Sequence, residues 1–209
     1  RLLCDARLDV PGRTVWINRG SGEALRMLLE GCVHDAGLHY GLDDGDENLR
    51  VVRQVDPQGK LFIMRFSSWE QGWILGPGVP DAFTGIADLA AGTLRLANRE
   101  SGAAVRRWLD TELIKTGTLP DSICGYASVH HSHFEAVDSI NAGRADVMLG
   151  PRSIATVFKL RFIPIGRVAF DLVFDRSLLG NARLDASIKW LAGRQFQQQM
   201  ASLPGYLLR

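Results

Sequence analysis

The chain has 209 residues, enough to bury a substantial core as one large domain or two small ones. Hydrophobic residues make up 46% and charged residues 22%, an ordinary globular composition that excludes wholesale disorder. A formal net charge of +1 without a Lys/Arg-rich block excludes the electrostatic footprint of a nucleic-acid surface, and no apolar run reaches membrane-spanning length.

Val15 to Asn18 is a short β-prone run. After Gly20-Ser21-Gly22, the segment EALRMLLEG carries Leu25, Leu28 and Leu29 at helical spacing until Gly31 stops it. VHDAGLH predicts a short strand ending at His39, and GLDDGDEN (residues 41–48) a polar turn. Leu61 to Phe66 and Trp73 to Leu75 predict two further strands, closed by GPGVP. Leu94 to Asn98 predicts a strand, Ser101-Gly102 a turn, and AAVRRWLDTELIKTG a helix. Ile123 to Ala127 reads as another short strand. Ser132 stands three residues before Glu135, the spacing of a capping box at the start of a helix that Gly143 ends. ADVMLG, Phe162 to Ile165 and Phe170 to Phe174 predict strands, and Asp185 to Met200 one C-terminal helix before PGY.

One phrase occurs twice. NRGSGEALRMLL at Asn18 to Leu29 returns as NRESGAAVRRWL at Asn98 to Leu109, with Asn, Arg, Ser and Gly in register. Each copy opens a strand–turn–helix unit. Strands alternating with helices predict parallel sheets, and the repeat favours two lobes facing a cleft over a single doubly wound sheet.

The repeated turn has a chemistry. A helix N-terminus exposes unpaired N–H groups and a partial positive charge, Gly admits a ligand close to the backbone, and a Ser hydroxyl adds a neutral donor. That combination suits a small anion at Ser21, Gly102 and Ser132, with Arg99 or His133 supplying charge. His133, in the first turn of its helix, is expected to stay neutral near pH 7 because the helix dipole depresses its pKa. Ser or Gly ahead of a helix is also an ordinary cap, so each turn has a purely structural alternative.

All five histidines fall in two clusters, His34/His39 and His130/His131/His133, which with Cys32 offer a metal-assisted enzyme as the rival reading. Neither cluster has a zinc spacing, and Ser21 and Ser101 lack a nucleophile elbow. No metal, cofactor or catalytic residue is expected. Cys4, Cys32 and Cys124 cannot all pair within the chain, and their scatter fits reduced thiols and a cytoplasmic location. The chain opens on Arg1 rather than Met, and a signal peptide ahead of it would make the location periplasmic.

From GSGEALRMLLEGCVHDAGLH onward the chain resembles the periplasmic-binding-protein-like ligand domains attached to helix-turn-helix regulators, often linked with molybdate or tungstate and the molybdenum cofactor. The resemblance is carried by Gly20-Ser21, AGLH at Ala36 to His39, Glu47-Asn48, Gln71-Gly72, IADLA at Ile86 to Ala90 and ANRESG at Ala97 to Gly102. It continues through Gly125-Tyr126, SHFEAVDSINAGRADVMLG at Ser132 to Gly150, Phe162 to Ile165, Phe170 to Phe174 and LPGY at Leu203 to Tyr206. It implies an α/β, two-lobe type II binding-protein fold: residues 1–78 in lobe one, 79–166 in lobe two, and 167–209 returning to lobe one. It also implies two crossing strands as hinge and a ligand cleft lined by Ser21, His39, Arg99, Gly102 and His133. The sequence departs from the pattern at Ala103, Ala104 and Val105, where a Gly-Ser-Gly-Thr turn would supply hydroxyls, and at Phe170, where the pattern has Tyr.

The resulting expectation is a non-enzymatic sensor domain for an oxyanion such as molybdate or tungstate, or a related anionic metabolite. Its expected ligand-binding residues are Gly20, Ser21, His39, Arg99, Gly102, Ser132 and His133. Its expected partners are the small anion and an attached DNA-binding or other domain, with a homodimer open and no nucleic-acid or membrane contact by this segment. An organic cofactor fragment, favoured by the missing hydroxyls and by Trp69 and Phe170, is the alternative ligand.

Overall fold

The computed structural model describes residues 14–17, 19–41 and 45–208. Asn18, Cys4 and the core of the GLDDGDEN turn at residues 42–44 lie outside them. The described residues divide into two compact units. Unit one holds those within 1–40, 45–68 and 169–209, and unit two comprises residue 41 and 69–168.

In unit one, helix α1 (Ser21–Leu29) buries Leu25 and Leu28, and Gly31 at φ +71° turns the chain out of it. Strand β1 (Asp35–Leu38) follows, then helix α2 (Glu47–Val55), which begins inside the expected polar turn. Its N-cap is Asp46, and Asn48 in its first turn is buried. Strand β2 (Leu61–Leu75) and strand β6 (Arg161–Asp175) are each one run of 15 residues, where the sequence suggested two short strands apiece. The intervening polar residues did not break β2, because Ser67, Ser68 and Gln71 are buried in the strand. β1 pairs antiparallel with the 171–174 stretch of β6.

The C-terminal part is two helices, α7 (Ala182–Leu191) and α8 (Arg194–Ala201), instead of one. Gly193 takes an extended conformation, φ −72° and ψ 146°, between them. The break lets Leu184 and Leu191 of one helix and Phe196 and Met200 of the other join the same cluster with Leu172 and Phe174. Asn181 caps α7, accepting from the N–H groups of Arg183 and Leu184 at 3.0 and 3.2 Å. Strand β7 (Tyr206–Leu208), which the sequence did not suggest, pairs with β2. The run expected as a strand from Val15 has no regular structure. Val15, Trp16 and Ile17 are exposed, so β propensity without a neighbouring strand left them outside the sheet.

In unit two the 69–75 part of β2 is followed by short helix α3 (Ile86–Ala90), strand β3 (Leu96–Arg99) and helix α4 (Ala104–Thr116). Val105, Leu109 and Leu113 recur at helical spacing and bury one face of α4. Gly117, at φ +66°, supplies its left-handed C-terminus. The Ile123 to Ala127 stretch is a turn, not a strand. Gly125 sits at φ +83° with its α-carbon so close that a Cβ would meet the Leu96 carbonyl oxygen at 2.3 Å. The strand lies just beyond, as β4 (Val129–His130). Helix α5 (His133–Asn141), strand β5 (Val147–Pro151) and helix α6 (Arg152–Val157) complete the unit.

β3 is parallel to both β4 and β5, while β2 runs antiparallel to β5 from Gln71↔Pro151 to Leu75↔Val147. The sheet is therefore mixed rather than all parallel. The expectation from alternating strands and helices holds for β3, β4 and β5, and fails for the long strands, which meet their neighbours in the opposite sense. The unit-two core lies on two faces: Trp73, Leu75 and Leu149 with α4 on one, and Ile74, Ala97 and Met148 with α5 on the other. No helix among the described residues is long and apolar enough to cross a membrane.

Candidate functional site

In unit one the candidate residues gather where β1 ends and α1 begins. Gly20 is the N-cap of α1, in extended conformation at ψ 156°, and has no side chain to close the helix end. Ser21 follows as the first helical residue and is buried. Its hydroxyl oxygen accepts the backbone N–H of His39 at 3.0 Å and lies 3.0 Å from His39 Nδ1. When Nδ1 carries no proton it accepts the hydroxyl's own, and the ring then carries its N–H on Nε2. Ser21 and His39 thus form one hydrogen-bonded unit. The Phe170 ring stands 6.3 Å from the His39 ring and 6.1 Å from Phe66. A Cβ on Gly37 would fall 2.4 Å from Phe170 Cζ, so the glycine makes the room that this ring occupies.

Behind His39 is a polar cluster that the sequence reading did not single out. Asn48, buried, takes the Tyr40 N–H at 2.7 Å on its carboxamide oxygen. Its amide nitrogen donates to the carbonyls of Leu38 and Ala169, both at 3.2 Å, and to Asp171 Oδ2 at 2.9 Å. Arg65 Nε donates to Asp171 Oδ1 at 2.5 Å. The Asp171 side chain is 2% exposed, so the carboxylate is compensated by these two partners rather than by water. The signal was present in the sequence as a charged residue inside the apolar run FDLVF, and as the Glu47-Asn48 phrase.

In unit two, Arg99 ends β3 with its side chain only 12% exposed. It donates from Nε and Nη2 to Glu100 at 2.9 and 2.7 Å, and to the carbonyls of His130 at 3.0 Å and His131 at 3.3 Å. Burial disfavours the charged form of Glu100, but the Arg99 guanidinium outweighs it and holds the carboxyl below its ordinary range. The positive charge assigned to Arg99 is therefore matched inside the protein. Gly102 is exposed in the turn before α4, whose N-cap is the buried Ala103. Val105, one of the departures from the family pattern, belongs to the buried core.

Ser132 is the N-cap of α5 and accepts the Glu135 N–H at 3.0 Å. The return contact expected of a capping box is displaced by one residue, since Glu135 accepts the N–H of His131 at 2.6 Å. His133 is the first residue of α5, with its Nδ1 3.4 Å from where a Cβ on Gly150 would stand. His130 is a strand residue and 8% exposed. Its Nδ1 lies 3.0 Å from the Asn98 carbonyl, which can only accept, so Nδ1 carries the proton and Nε2 accepts from Ser139 at 2.8 Å. Asn98 in turn donates to the Tyr126 carbonyl at 2.9 Å and accepts from the Arg99 N–H at 2.9 Å.

These placements separate the two histidine clusters. Both nitrogens of His130 are used within the fold, and His34 and His131 are exposed. Among the described residues, no three His, Cys, Asp or Glu side chains come together as a metal-holding group. Gly20, Ser21 and His39 fall in unit one, and Arg99, Gly102, Ser132 and His133 in unit two.

Residues 6–192 match the family model described as a PBP superfamily domain. YvgK of Bacillus subtilis (strain 168) is 25% identical over 190 residues, which cover 90% of this chain and 61% of that protein. The chain thus spans less than two thirds of that relative's length. The regulatory domain of MetR, a LysR family regulator from N. meningitidis, superposes with a TM-score of 0.54 at 15% identity, over 88% of this chain and 81% of that one. An ABC-type phosphate transport receptor from Vibrio cholerae superposes with a TM-score of 0.57 at 11% identity, over 89% and 84%. At these identities the likeness is one of fold, the type II periplasmic-binding-protein-like α/β fold that the sequence led us to expect.

Proposed function

The chain belongs to the PBP superfamily, and from that premise we propose that it is a regulatory domain that binds a small anion. The observation that carries the reading is the junction of Ser21 and His39 at the start of α1. A helix N-terminus, a buried hydroxyl and an imidazole are brought together there. Arg99 contributes little net charge because Glu100 accompanies it, so the reading rests on neutral donors and helix ends, which suit an oxyanion or a carboxylate. The phosphate transport receptor and the LysR-family regulatory domain that share the fold are consistent with an anion as ligand and with an output through another domain. Molybdate and tungstate remain the first candidates, followed by sulfate, phosphate and anionic metabolites. Within unit one the proposed contacts are Gly20, Ser21 and His39, and within unit two they are Gly102, Ser132 and His133, with Arg99 positioning the His130-His131 backbone.

For such a domain to signal, the ligand must favour one conformation over the other, since equal affinity for both shifts nothing. The test is a thermal-shift panel of molybdate, tungstate, sulfate, phosphate and small carboxylates. An anion at about 100 times its dissociation constant stabilises by ~2.7 kcal/mol. Stabilisation by neutral or cationic compounds alone would sink the reading.

A further inference from the structure

Gln71 lies on β2 with only 3% of its surface exposed. Its carboxamide oxygen accepts the indole N–H of Trp69 at 3.2 Å. An indole nitrogen only donates, so this contact fixes the amide: the oxygen faces Trp69, and the NH₂ group points the other way. That nitrogen is buried and has no acceptor among the described residues. Buried donors are almost always matched, and an orphan marks a place where something else supplies the acceptor.

Register shows where the donor sits within unit two. Gln71 pairs with Pro151, the last residue of β5, and β5 runs parallel to β3 with Leu96 opposite Val147 and Ala97 opposite Met148. Extended by two residues, that register brings Arg99 level with Gly150, the partner of Gly72, one residue along β2 from Gln71. Gln71 is therefore at the carboxyl ends of two parallel strands, the end at which open α/β sheets hold ligands. Two residues along β2, on the same face, Trp73 packs in the cluster that includes Ala103, the N-cap of α4. The orphan donor thus occupies the face of the sheet that carries the N-terminal end of this 13-residue helix.

We propose that Gln71 is a ligand-contacting residue that donates from Nε2 to an oxyanion or carboxylate oxygen held at the N-terminal end of α4. This rests on the anion reading and deepens it. The amide adds a donor without adding charge. Trp69 is the positioning residue that keeps the amide from flipping.

The test compares the wild type with Gln71→Met, which keeps the volume without the donor, and Gln71→Glu, which puts a carboxylate where the NH₂ was. Each is melted alone and with titrated molybdate, sulfate and inorganic phosphate. The expected result is a ligand-free melting temperature for Gln71→Met lowered only slightly, by loss of the Trp69 contact, and an affinity for the stabilising anion weakened by about tenfold. Gln71→Glu weakens it further. If an anion stabilises wild type and Gln71→Met with equal affinity, the assignment of Gln71 is overturned while the anion reading stands. A Gln71→Met protein that melts well below wild type without ligand overturns it as well, since the amide would then be holding the fold. If no anion stabilises the wild type, both readings fall together.

Discussion

Ser21 and His39, 18 positions apart, are joined by two contacts of 3.0 Å, one to the backbone N–H and one to the ring. A single hydroxyl thereby ties the first residue of α1 to the residue that follows β1. Ser21→Ala leaves the His39 N–H without this acceptor, and the expected loss is about 1–3 kcal/mol of stability by urea denaturation. The same variant weakens binding of the anion found in the thermal-shift panel by more than the stability loss accounts for. Unchanged affinity would confine Ser21 to a structural role.

His130 and His133 separate structure from binding. His130→Ala removes a buried ring and strands the Asn98 carbonyl and the Ser139 hydroxyl, so the fold loses about 2–4 kcal/mol. His133→Ala changes stability by about 1 kcal/mol or less and weakens anion binding by roughly 1–3 kcal/mol. Denaturant midpoints and titrations of the two variants check this, and equal effects in both assays would remove His133 from the site.

Gly125→Ala is expected to be among the most damaging single methyl additions. The residue is at φ +83°, and its new Cβ would stand 2.3 Å from the Leu96 carbonyl oxygen, so β3 itself must move. A loss exceeding about 3 kcal/mol follows from the left-handed backbone and the clash together. By contrast Gly143→Ala, at φ +66° but with open space around it, costs only about 1 kcal/mol. Comparable melting temperatures for the two variants would refute the account of the turn.

Asp146 gives a pH-dependent prediction. Its carboxylate accepts from Arg95 Nε at 2.9 Å, Arg95 Nη2 at 2.8 Å and the Arg95 N–H at 2.8 Å, and the Arg95 side chain is the main cause of its lowered pKa. A pKa lower in the folded than in the unfolded chain makes a contribution that is present above the unfolded value, about 3.9, and lost as the pH falls through the folded one. Asp146→Asn should therefore melt below wild type at pH 7, and the gap should close as the pH drops below about 4. A gap independent of pH would show that the ion pair is not its source.

Local elements were legible where the chain states its own boundaries. Gly31, Gly117 and Gly143, all at positive φ, end helices where the sequence placed their ends. Ser132 caps α5 as its spacing with Glu135 foretold, and the Ser21–Leu29 and Ala104–Thr116 helices follow from the doubled phrase. Those signals act over a few residues, through caps and turns whose geometry depends on the residue itself.

Longer-range relations could not be read in that way. Whether β2 and β6 are single strands, and in which direction they meet their neighbours, depends on hydrogen-bond partners far along the chain, so Gln71 reads as a polar interruption until Pro151 is opposite it. The same holds for the polar cluster of unit one. Asp171 looks like a misplaced charge inside FDLVF, and only the fold brings it Asn48 from 123 positions away and Arg65 from 106. Arg99 shows the reverse. Its charge was readable, but its neutralisation by Glu100 and its use on the His130 and His131 carbonyls were decided by how β3 and β4 pair. Sequence by itself determined the ends of the helices that follow Gly20, Ala103 and Ser132, because capping chemistry is local. Tertiary structure alone decided strand direction and which polar groups are matched within the fold, because desolvation and pairing energies depend on partners that burial brings together.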